Sequence, residues 1–461
     1  MNLETNYKIQ KKGITLVIPN PCGNIKETKM KNSGVEWIGE IPDDWEVKKF
    51  KYFFDIYGGS GFKEEYQGQE KGDFPFCKAS DINGTEKNLT TARNYVSQEL
   101  VDKESYIVIP KNSILVSKIG EALKKNHRKV NLVNCIVDNN CEGFVLNTKN
   151  DINYLYYVLK CIDMSWFDNG GTIPSVNNFK LKNFFLPNCL YETQQRIATY
   201  LDKKCSKKEE TIQNQQQVIE KLKAYKQSLI TEAVTGKIKI KNGKVCGEYE
   251  SYKDSGVEWI GKIPSEWEVK KLKFSSQIMR GLFSHRPRND PDYYDGVHPF
   301  IQTGEVARAV KYITTYSQTL NELGFSVSRE FPAGTVLLTI AANVGDVAIL
   351  DFNACFPDSV IGFYPKENVS KIFMFYVLKS MKEQFMRNAI ISTQMNLNIN
   401  IVKEEFIPLP SLAEQKEIVK FLEKKSDYID TAIKQKQSLI EKLTEYKKSL
   451  IYECVTGKKE I

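Results

Sequence analysis

The sequence predicts an α+β protein in which two similar mixed α/β domains are separated by two long helices packed as an antiparallel coiled coil, with a pseudo-twofold internal duplication. Three observations lead to this prediction. A segment near the start of the chain recurs in its second half, short strand-like runs fill the stretch after each copy, and a heptad pattern follows each of these stretches.

The duplication shows in two pairs of segments. The first pair, residues 31–51 (KNSGVEWIGEIPDDWEVKKFK) and 253–273 (KDSGVEWIGKIPSEWEVKKLK), is identical at 16 of 21 positions. The second pair, residues 216–237 and 437–458, repeats IEKL, SLI and VTGK at an offset of 221 residues, against 222 for the first pair. This agreement in order and spacing predicts that each half contains an opening motif, a domain-sized stretch and a charged helical segment.

The stretches between these motifs have diverged but keep a common skeleton. Phe74-Pro75-Phe76 aligns with His298-Pro299-Phe300, and β-branched or aromatic runs alternate with Gly, Pro and Asn in both stretches. Such runs predict several short strands in a mixed α/β domain. The predicted boundaries are an N-terminal extension at 1–30, a first domain at 31–185, a helical spacer at 186–238, a linker at 239–252, a second domain at 253–406 and a second helical spacer at 407–461.

Each helical spacer carries apolar residues at alternating spacings of four and three, which is the seam of a heptad helix. Each helix is expected to begin after a proline-containing loop and to end at Gly236 or Gly457, a length of roughly 40 residues. Lys226 and Lys447 interrupt the two seams at matching places, and polar seam residues of this kind fix register and partner choice. Because the seams match, each helix is the simplest partner for the other. The predicted seam consists of Leu201, Ile212, Ile219, Leu222 and Leu229 in the first helix and Leu422, Ile433, Ile440, Leu443 and Leu450 in the second.

Composition permits a polyanionic partner without identifying one. The chain has 65 Lys and Arg against 57 Asp and Glu, a net charge of +8. Ten cysteines without a CxxC pair and three histidines do not give the ligand spacing of a metal site, so none is predicted. The first residues lack an apolar signal core, and no window approaches the roughly 18 apolar residues that span a bilayer. We therefore expect a cytoplasmic protein without a membrane partner.

Catalytic motifs are absent from the sequence. It contains no P-loop, no glycine-rich GxGxxG turn and no Asn-Pro-Pro-aromatic tetrapeptide. The nearest nuclease-like string begins at Pro42 and offers paired carboxylates and a lysine, but the second copy of the motif has Ser265 in place of Asp43. We therefore predict no catalytic residue in this chain.

The repeated SGVEWIG-x-IP-x-x-W motif, the proline-containing loops at Phe185 and Phe406, the Ser411-Leu-Ala-Glu-Gln-Lys-Glu-Ile segment and the paired helices occur in a characteristic order. In these features the chain resembles the specificity subunit of type I restriction-modification enzymes, from Lys31 onward. The resemblance implies two target-recognition domains, each reading one half of a bipartite DNA target, and helices that set the gap and dock methyltransferase subunits.

The resemblance also implies a set of partners. These are double-stranded DNA, two methyltransferase subunits and two restriction/translocase subunits. The subunit itself is expected to be non-catalytic and to hold no cofactor, while S-adenosylmethionine, ATP and magnesium are expected on the partner subunits.

DNA-contacting side chains are expected in variable loops, because base edges specify sequence and basic residues on phosphates fix position. Gln302 and Asn343 have amides that are able to pair in bidentate fashion with adenine. The candidates in the first domain are Lys78, Ser80, Asp81, Lys118, Lys124, Lys125, His127, Arg128 and Lys129, and those in the second are Arg280, Arg286, Arg288, Gln302, Thr303, Glu305, Arg308 and Asn343.

Three alternative interpretations of these features make different predictions. The repeated tryptophans (Trp37, Trp45, Trp259 and Trp267) could stack on DNA, but we favour a hydrophobic clamp that seats each domain against a helix. A coiled-coil scaffold that binds proteins would have no salt-dependent affinity for DNA. A self-sufficient nuclease would cleave DNA alone in the presence of metal.

Overall fold

The computed structural model describes residues 29–84, 86–390 and 396–461, so the predicted N-terminal extension lies outside the described residues up to position 28. The chain divides into two compact units. Among the described residues, the first comprises residues 29–211 and Lys442–Ile461, and the second lies within Ile212–Glu441. Each long helix therefore contributes one segment to each unit, and each unit contains one predicted globular domain.

The first half of the chain contains short strands, short helices and one long helix. The strands are β1 (Met30–Asn32), β2 (Glu40–Pro42), β3 (Glu46–Lys49), β4 (Phe54–Gly58), β5 (Phe74–Cys77), β6 (Asn88–Leu89), β7 (Asn94–Val96), β8 (Ile114–Ser117), β9 (Arg128–Asn131), β10 (Ile136–Val137), β11 (Cys141–Leu146) and β12 (Phe185–Asn188). The helices are α1 (Ala79–Ile82), α2 (Gln98–Glu104), α3 (Gly120–Lys124), α4 (Ile152–Lys160), α5 (Asn178–Lys182) and α6 (Tyr191–Val234).

The second half repeats this pattern after a hairpin, β13 with β14, that lies in the predicted linker. The strands are β13 (Ile240–Lys241), β14 (Lys244–Val245), β15 (Tyr252–Asp254), β16 (Lys262–Pro264), β17 (Glu268–Lys271), β18 (Ser276–Arg280), β19 (Tyr294–Phe300), β20 (Tyr312–Ile313), β21 (Gln318–Leu320), β22 (Glu330–Phe331), β23 (Val336–Thr339), β24 (Val347–Leu350), β25 (Ala354–Cys355), β26 (Val360–Pro365) and β27 (Phe406–Leu409). The helices are α7 (Leu272–Ser275), α8 (Thr303–Arg308), α9 (Glu322–Ser326), α10 (Lys371–Ser380), α11 (Lys382–Ile390), α12 (Ile399–Glu404) and α13 (Leu412–Val455).

The two domains have the same sheet topology, which confirms the predicted duplication of fold. The first contains a five-stranded sheet in the order β4-β11-β8-β9-β6, and the second contains β18-β26-β23-β24-β20. In both sheets the first four strands pair antiparallel and the last strand pairs parallel. A smaller sheet in each domain, β10-β5-β7 or β21-β19-β25-β22, carries the strand that leads into the predicted reading loop. The order of strands is therefore repeated, while the loops between them differ.

Each domain is closed by a short helix that is apolar on nearly every side. In α4 all six residues from Tyr154 to Leu159 are buried, and in α10 all six from Phe373 to Leu378 are buried. A helix that is hydrophobic all round belongs inside a core. Asp151 caps α4 by accepting the N–H of Tyr154, and Ser370 caps α10 in the same way, so each helix begins at a fixed residue.

The two long helices, α6 and α13, each span 44 residues and begin and end close to the predicted limits. Both stop just before a glycine with a φ of +71°, at Gly236 and Gly457. A Cβ on Gly236 would lie 2.4 Å from the Cδ of Pro264, and one on Gly457 would lie 2.4 Å from the Cδ of Pro42. Glycine is therefore required at both places by the backbone conformation and by the close approach of the opening motif.

Segments of the two helices pack together antiparallel within each unit. In the first unit Lys447 donates to Glu209, while Cys205, one turn earlier than Glu209, lies near Cys454. In the second unit Lys226 Nζ donates to Asp430 Oδ2 at 2.7 Å. The two ion pairs occupy equivalent positions in the two halves of the chain. Each of the lysines that interrupt the heptad seams, Lys226 and Lys447, therefore has a carboxylate partner on the other helix. Every predicted seam residue is buried or half-buried.

The second tryptophan of each opening motif has a structural role. Trp45 and Trp267 are buried, and each lies against the glycine that ends a long helix in its own unit. Trp267 Nε1 also donates to Glu414 Oε2 at 3.0 Å. The hydrophobic-clamp prediction fits this arrangement, since a ring held in this way cannot stack on DNA. None of the helices among the described residues is both long enough and apolar enough to cross a membrane.

Candidate nucleic-acid interface

Gln302 occupies the loop between β19 and α8 in the second domain, at the position that caps the short helix. Its backbone N–H donates to Glu305 Oε2 at 3.0 Å, so the loop has a fixed shape. Its side-chain amide donates to Gln318 Oε1 at 2.9 Å, which holds two amides side by side. A half-exposed amide fixed by its neighbour can present a donor and an acceptor to a base edge.

A cleft of about 350 Å³ surrounds this amide pair. Both aromatic rings and polar groups line it. Its lining consists of Phe283, Arg288, Asn289, Tyr294, Phe300, Gln302, Gln318 and Pro357. The combination of amides, a guanidinium and aromatic rings suits a nucleic-acid base better than it suits an apolar small molecule.

Three arginines converge beside the cleft on one residue, Asp358. Arg288 donates to Asp358 Oδ1, Arg286 Nη2 lies 3.6 Å from Asp358 Oδ2, and Arg280 Nε donates to the Asp358 carbonyl oxygen. All three arginines are exposed. A single carboxylate cannot neutralise three guanidiniums, so this edge of the second domain carries excess positive charge that suits a phosphate backbone.

The first domain places Lys78 where the second places Gln302. The Lys78 N–H donates to Asp81 Oδ2 at 2.8 Å, which repeats the contact between Gln302 and Glu305. The Lys78 ammonium donates to Gln67 Oε1 at 2.6 Å and lies 5.4 Å from the centre of the Phe62 ring. The same backbone feature therefore presents a cation in one domain and an amide in the other.

Other candidates of the first domain lie on or near α3. Lys124 and Lys125 are exposed, and Ser80 is exposed beside Lys78. Lys118 is half-buried and lies 3.4 Å from Glu142. Burial lowers the pKa of His127, with a smaller contribution from the nearby Lys160, and both effects favour the neutral ring.

The assignment of Arg128 and Lys129 to a DNA-facing loop is wrong, because both side chains are buried. The two residues begin strand β9 instead of ending the loop. Arg128 donates to the carbonyl oxygens of Leu159 and Ile162, at and just beyond the end of α4. Cations are stabilised at helix C-termini, where carbonyl groups lack helical partners. Burial lowers the pKa of Arg128 to about 10.

The remaining candidate residues of the second domain differ in how far their side chains are exposed to solvent. Glu305 is buried and accepts from Gln302, Arg308 and Ser317, so it shapes the loop and is not free to read a base. Thr303 is half-buried in the first turn of α8, while Arg308 is exposed. Asn343 is exposed in the turn between β23 and β24.

The family model for the type I restriction modification DNA specificity domain matches the chain twice, at residues 42–221 and 264–442. The chain belongs to this family. Both matches begin in an opening motif and extend through a reading domain into one of the two long helices.

Relatives with this designation are similar over most of the chain. The putative type I restriction enzyme MjaX specificity subunit of Methanocaldococcus jannaschii is 27% identical over 440 residues, which cover 91% of this chain and 95% of that protein. The MjaIX specificity subunit of the same organism is 31% identical over 313 residues, covering 64% of this chain and 65% of that protein. The EcoBI specificity subunit of Escherichia coli is 24% identical and covers 62% of this chain and 60% of that protein.

A solved structure of a type I restriction-modification system, described in terms of complex assembly and conformational transition, has the same fold. The TM-score is 0.64 at 14% sequence identity, over 90% of this chain and 98% of that chain. The likeness in fold therefore covers nearly the whole of both chains.

Sequence reasoning missed several residues of the interface. Gln318 lies opposite Phe300 because β21 pairs antiparallel with β19, and nothing in its local sequence indicates this. Asn289 lies in an irregular loop, and Gln67 lies far from Lys78 in a region without a repeat. Only the pairing of β19 with β21 could have identified Gln318, since it places this residue opposite Phe300, two positions before Gln302.

Proposed function

We propose that this chain is the DNA-reading subunit of a type I restriction-modification complex, and that each domain reads one half of a split target. The observation that carries the proposal is the duplication of one fold with different side chains at the same reading position, Lys78 in one domain and Gln302 in the other. Two similar domains with different contact groups suit two different half-sites.

The roles of individual groups follow from their chemistry. The amide pair of Gln302 and Gln318 reads a base edge, with adenine as the best match for a bidentate amide. Arg280, Arg286 and Arg288 contact phosphates, which positions the domain without specifying sequence. In the first domain Lys78 suits guanine, whose O6 and N7 are both acceptors.

We further propose that two methyltransferase subunits and two restriction/translocase subunits bind this chain, and that the chain itself carries out no chemistry. S-adenosylmethionine, ATP and magnesium would then belong to the partner subunits. The long helices set the length of the unread gap between the half-sites. The naming of the relatives as specificity subunits supports this division of labour.

The experiment is selection of bound sequences from a pool of random duplexes by the chain copurified with its methyltransferase partner, across a series of salt concentrations. A two-part motif with a fixed gap is expected. Gln302→Ala should relax one position of one half-site at a cost of about 1–3 kcal/mol. Arg286→Gln is the matched control, since it should weaken all sequences equally and reduce the dependence on salt.

Two outcomes count against the proposal. Recovery of sequences without any shared motif, or absence of DNA binding at low salt, would favour a protein-binding scaffold. Cleavage of DNA by the purified chain alone with a divalent metal would instead show a nuclease.

A further inference from the structure

In each unit an ion pair joins the reading domain to a long helix. Lys87 Nζ donates to Asp202 Oδ1 on α6 at 2.5 Å, and Lys311 Nζ donates to Glu423 Oε1 on α13 at 2.5 Å. Asp202 and Glu423 lie at the same distance along the chain from the first residue of their helices. The two ion pairs, which we call the helix ties, therefore belong to the duplication.

The backbones of the two lysines are also equivalent. The Lys87 carbonyl oxygen accepts from the N–H of Val130 at 2.8 Å, and the Lys311 carbonyl oxygen accepts from the N–H of Ile349 at 2.8 Å. Each lysine directly precedes the parallel strand at the edge of the five-stranded sheet, β6 in the first domain and β20 in the second. Each helix tie therefore connects this edge of the sheet to a long helix.

The helix ties lie at a fixed spacing from the reading positions. Lys87 is the ninth residue after Lys78, and Lys311 is the ninth residue after Gln302. The short helix inside this segment has four residues in the first domain and six in the second, so the spacing is kept although the helix is not. The segment is held at its first residue by the cap contact and at its last residue by the helix tie.

The lysines of the helix ties are directed at protein groups and not at solvent. Their side chains are 19% exposed for Lys87 and 26% exposed for Lys311. The Lys87 ammonium lies 5.1 Å from the Tyr157 ring centre, and the Lys311 ammonium lies 4.9 Å from that of Tyr312. The Tyr157 hydroxyl also donates to Asp202 Oδ1 at 2.7 Å. An ion pair with partly exposed members contributes little to stability, so a role in position explains its presence in both halves better.

We infer that Lys87 and Lys311 are positioning residues, which hold each reading loop at a fixed place on its long helix and thereby sharpen the selection of the half-site and of the gap. The inference rests on the proposed function and assigns to both lysines an action through Lys78 and Gln302, without contact to DNA. A binding group has to be held within about 0.5 Å of its productive position to be selective. Without its tie the loop can shift along the helix, and a mismatched base is then accommodated more easily.

The test is the selection of bound duplexes by the chain copurified with its methyltransferase partner. Lys87→Met should lower the discrimination against single mismatches about tenfold in the half-site that the first domain reads, and should leave the other half-site unchanged. Lys311→Met should have the reverse effect. Both variants should also recover sites whose gap differs by one base pair, because the loop is no longer fixed on the helix.

Variants on the helix side break the same contacts with groups of nearly equal size. Asp202→Asn and Glu423→Gln should relax the same half-sites as Lys87→Met and Lys311→Met, respectively. The charge exchange Lys87→Asp with Asp202→Lys should restore most of the discrimination in the first half-site. A folding defect would not be repaired by this exchange, so the rescue separates positioning from general damage.

The matched controls are Lys48→Met and Lys270→Met, since these lysines also form an ion pair that is repeated in both halves. Lys48 lies 3.2 Å from Glu46 within β3, and Lys270 lies 2.7 Å from Glu268 within β17. These pairs connect residues of a single strand and do not reach a long helix. Their loss removes the same charge and should leave both the motif and the gap unchanged.

An unchanged motif and gap in Lys87→Met and Lys311→Met would overturn the positioning inference and leave the proposed function intact. Equal weakening of all sequences with a smaller dependence on salt, not restored by the charge exchange, would show phosphate contacts by the lysines and also overturn it. If the unaltered complex selects no two-part motif, the proposed function fails first.

Discussion

The two reading domains share a fold but fill one place in it with opposite chemistry. In the first domain Glu142 is buried, lies 3.4 Å from Lys118 Nζ and accepts from Asn178 Nδ2 at 2.8 Å. Within the described part of the chain, its second carboxylate oxygen has no hydrogen-bond partner. The matching positions of the second domain hold three isoleucines: Ile340 and Ile361 belong to its hydrophobic core, and the half-buried Ile399 packs against it.

The register of the sheets shows that these positions are equivalent. Glu142 pairs with Val116 on β8, and Ile361 pairs with Leu338 on β23. The carbonyl oxygen of Lys118 accepts from Val176, and that of Ile340 accepts from Leu397. The same fold therefore holds a polar trio (Lys118, Glu142 and Asn178) in one domain and three isoleucines in the other. Its topology does not depend on the ion pair between Lys118 and Glu142. Buried ion pairs often contribute no more stability than apolar residues of similar size.

The largest effect is expected when a charge is placed in the apolar version. Ile361→Glu should cost about 4 kcal/mol or more of unfolding free energy, because Ile361 is fully buried and the cation opposite it, Arg280, is exposed and donates to the Asp358 carbonyl oxygen. Urea unfolding of the full chain measures the cost. Adding Ile340→Lys and Ile399→Asn should recover about half of the loss, and no recovery at all would contradict the equivalence of the two trios.

The reverse exchange sharpens the comparison. Glu142→Ile alone should cost about 3 kcal/mol, because it leaves the half-buried Lys118 without its carboxylate. The triple variant Lys118→Ile, Glu142→Ile and Asn178→Ile should be as stable as the unaltered chain or more stable, by up to about 4 kcal/mol. The unfolding midpoints of the single and triple variants provide the check. A triple variant less stable than the single one would show that the polar trio has a packing role that isoleucine cannot fill.

The two domains agree in how each is joined to the start of its long helix. The long helices start differently, with Tyr191-Glu-Thr-Gln in one and Leu412-Ala-Glu-Gln in the other, but the glutamine is common to both. Gln194 is buried, accepts from the N–H of Asp151 at 2.8 Å and donates to the Cys189 carbonyl oxygen at 3.0 Å. Gln415 makes the same contacts with Ser370 and Pro410. Each glutamine ties the start of a long helix to the start of the buried helix of its domain.

Gln194→Ala and Gln415→Ala are therefore expected to lower the unfolding free energy equally, and by less than Ile361→Glu or Glu142→Ile does. Each should lower stability by about 2 kcal/mol, since two buried backbone groups lose their partner. Hydrogen exchange of the Asp151 and Ser370 amides, read by mass spectrometry, should accelerate in the matching variant only. Glu192→Ala provides a control on the first turn of the same helix. Unequal losses from the two glutamine variants would mean that the duplication does not extend to these contacts.

The parts of the molecule that the sequence predicted are those governed by periodic or repeated patterns. The heptad predicted the buried side of α6 and α13, and the duplicated opening motif predicted the equivalence of the two domains. Whether a single charged residue is exposed or buried depends on which way the strand that carries it faces. Arg128 was assigned to the loop because it follows a run of basic residues, but the strand that begins with it directs its side chain to the end of α4. Gln318 joins Gln302 only through strand pairing.

The smallest effect concerns two lysines at the ends of the buried helices, Lys160 and Lys379. Burial is the main cause that lowers the pKa of each to about 8, and neighbouring cations add to it, Arg128 and Lys447 for the first and Lys226 for the second. Below pH 8 both the folded and the unfolded chain hold these protons. Between pH 8 and 10.5 the unfolded chain binds more protons, so this term makes stability rise with pH.

Lys379→Met should remove that rise. The unaltered chain should gain up to about 1 kcal/mol relative to the variant between pH 7.5 and 9.5, a value already reduced for the solvent that reaches the half-buried ammonium. The change with pH in the difference of their unfolding free energies is the quantity to measure, since the buried cysteines contribute equally to both proteins. More of the Lys160 side chain than of the Lys379 side chain is open to solvent, which weakens the effect of burial on its ammonium, so Lys160→Met should change the pH dependence less than Lys379→Met does. The reverse order would mean that Arg128, buried beside Lys160 and absent from the second domain, outweighs burial in setting these pKa values.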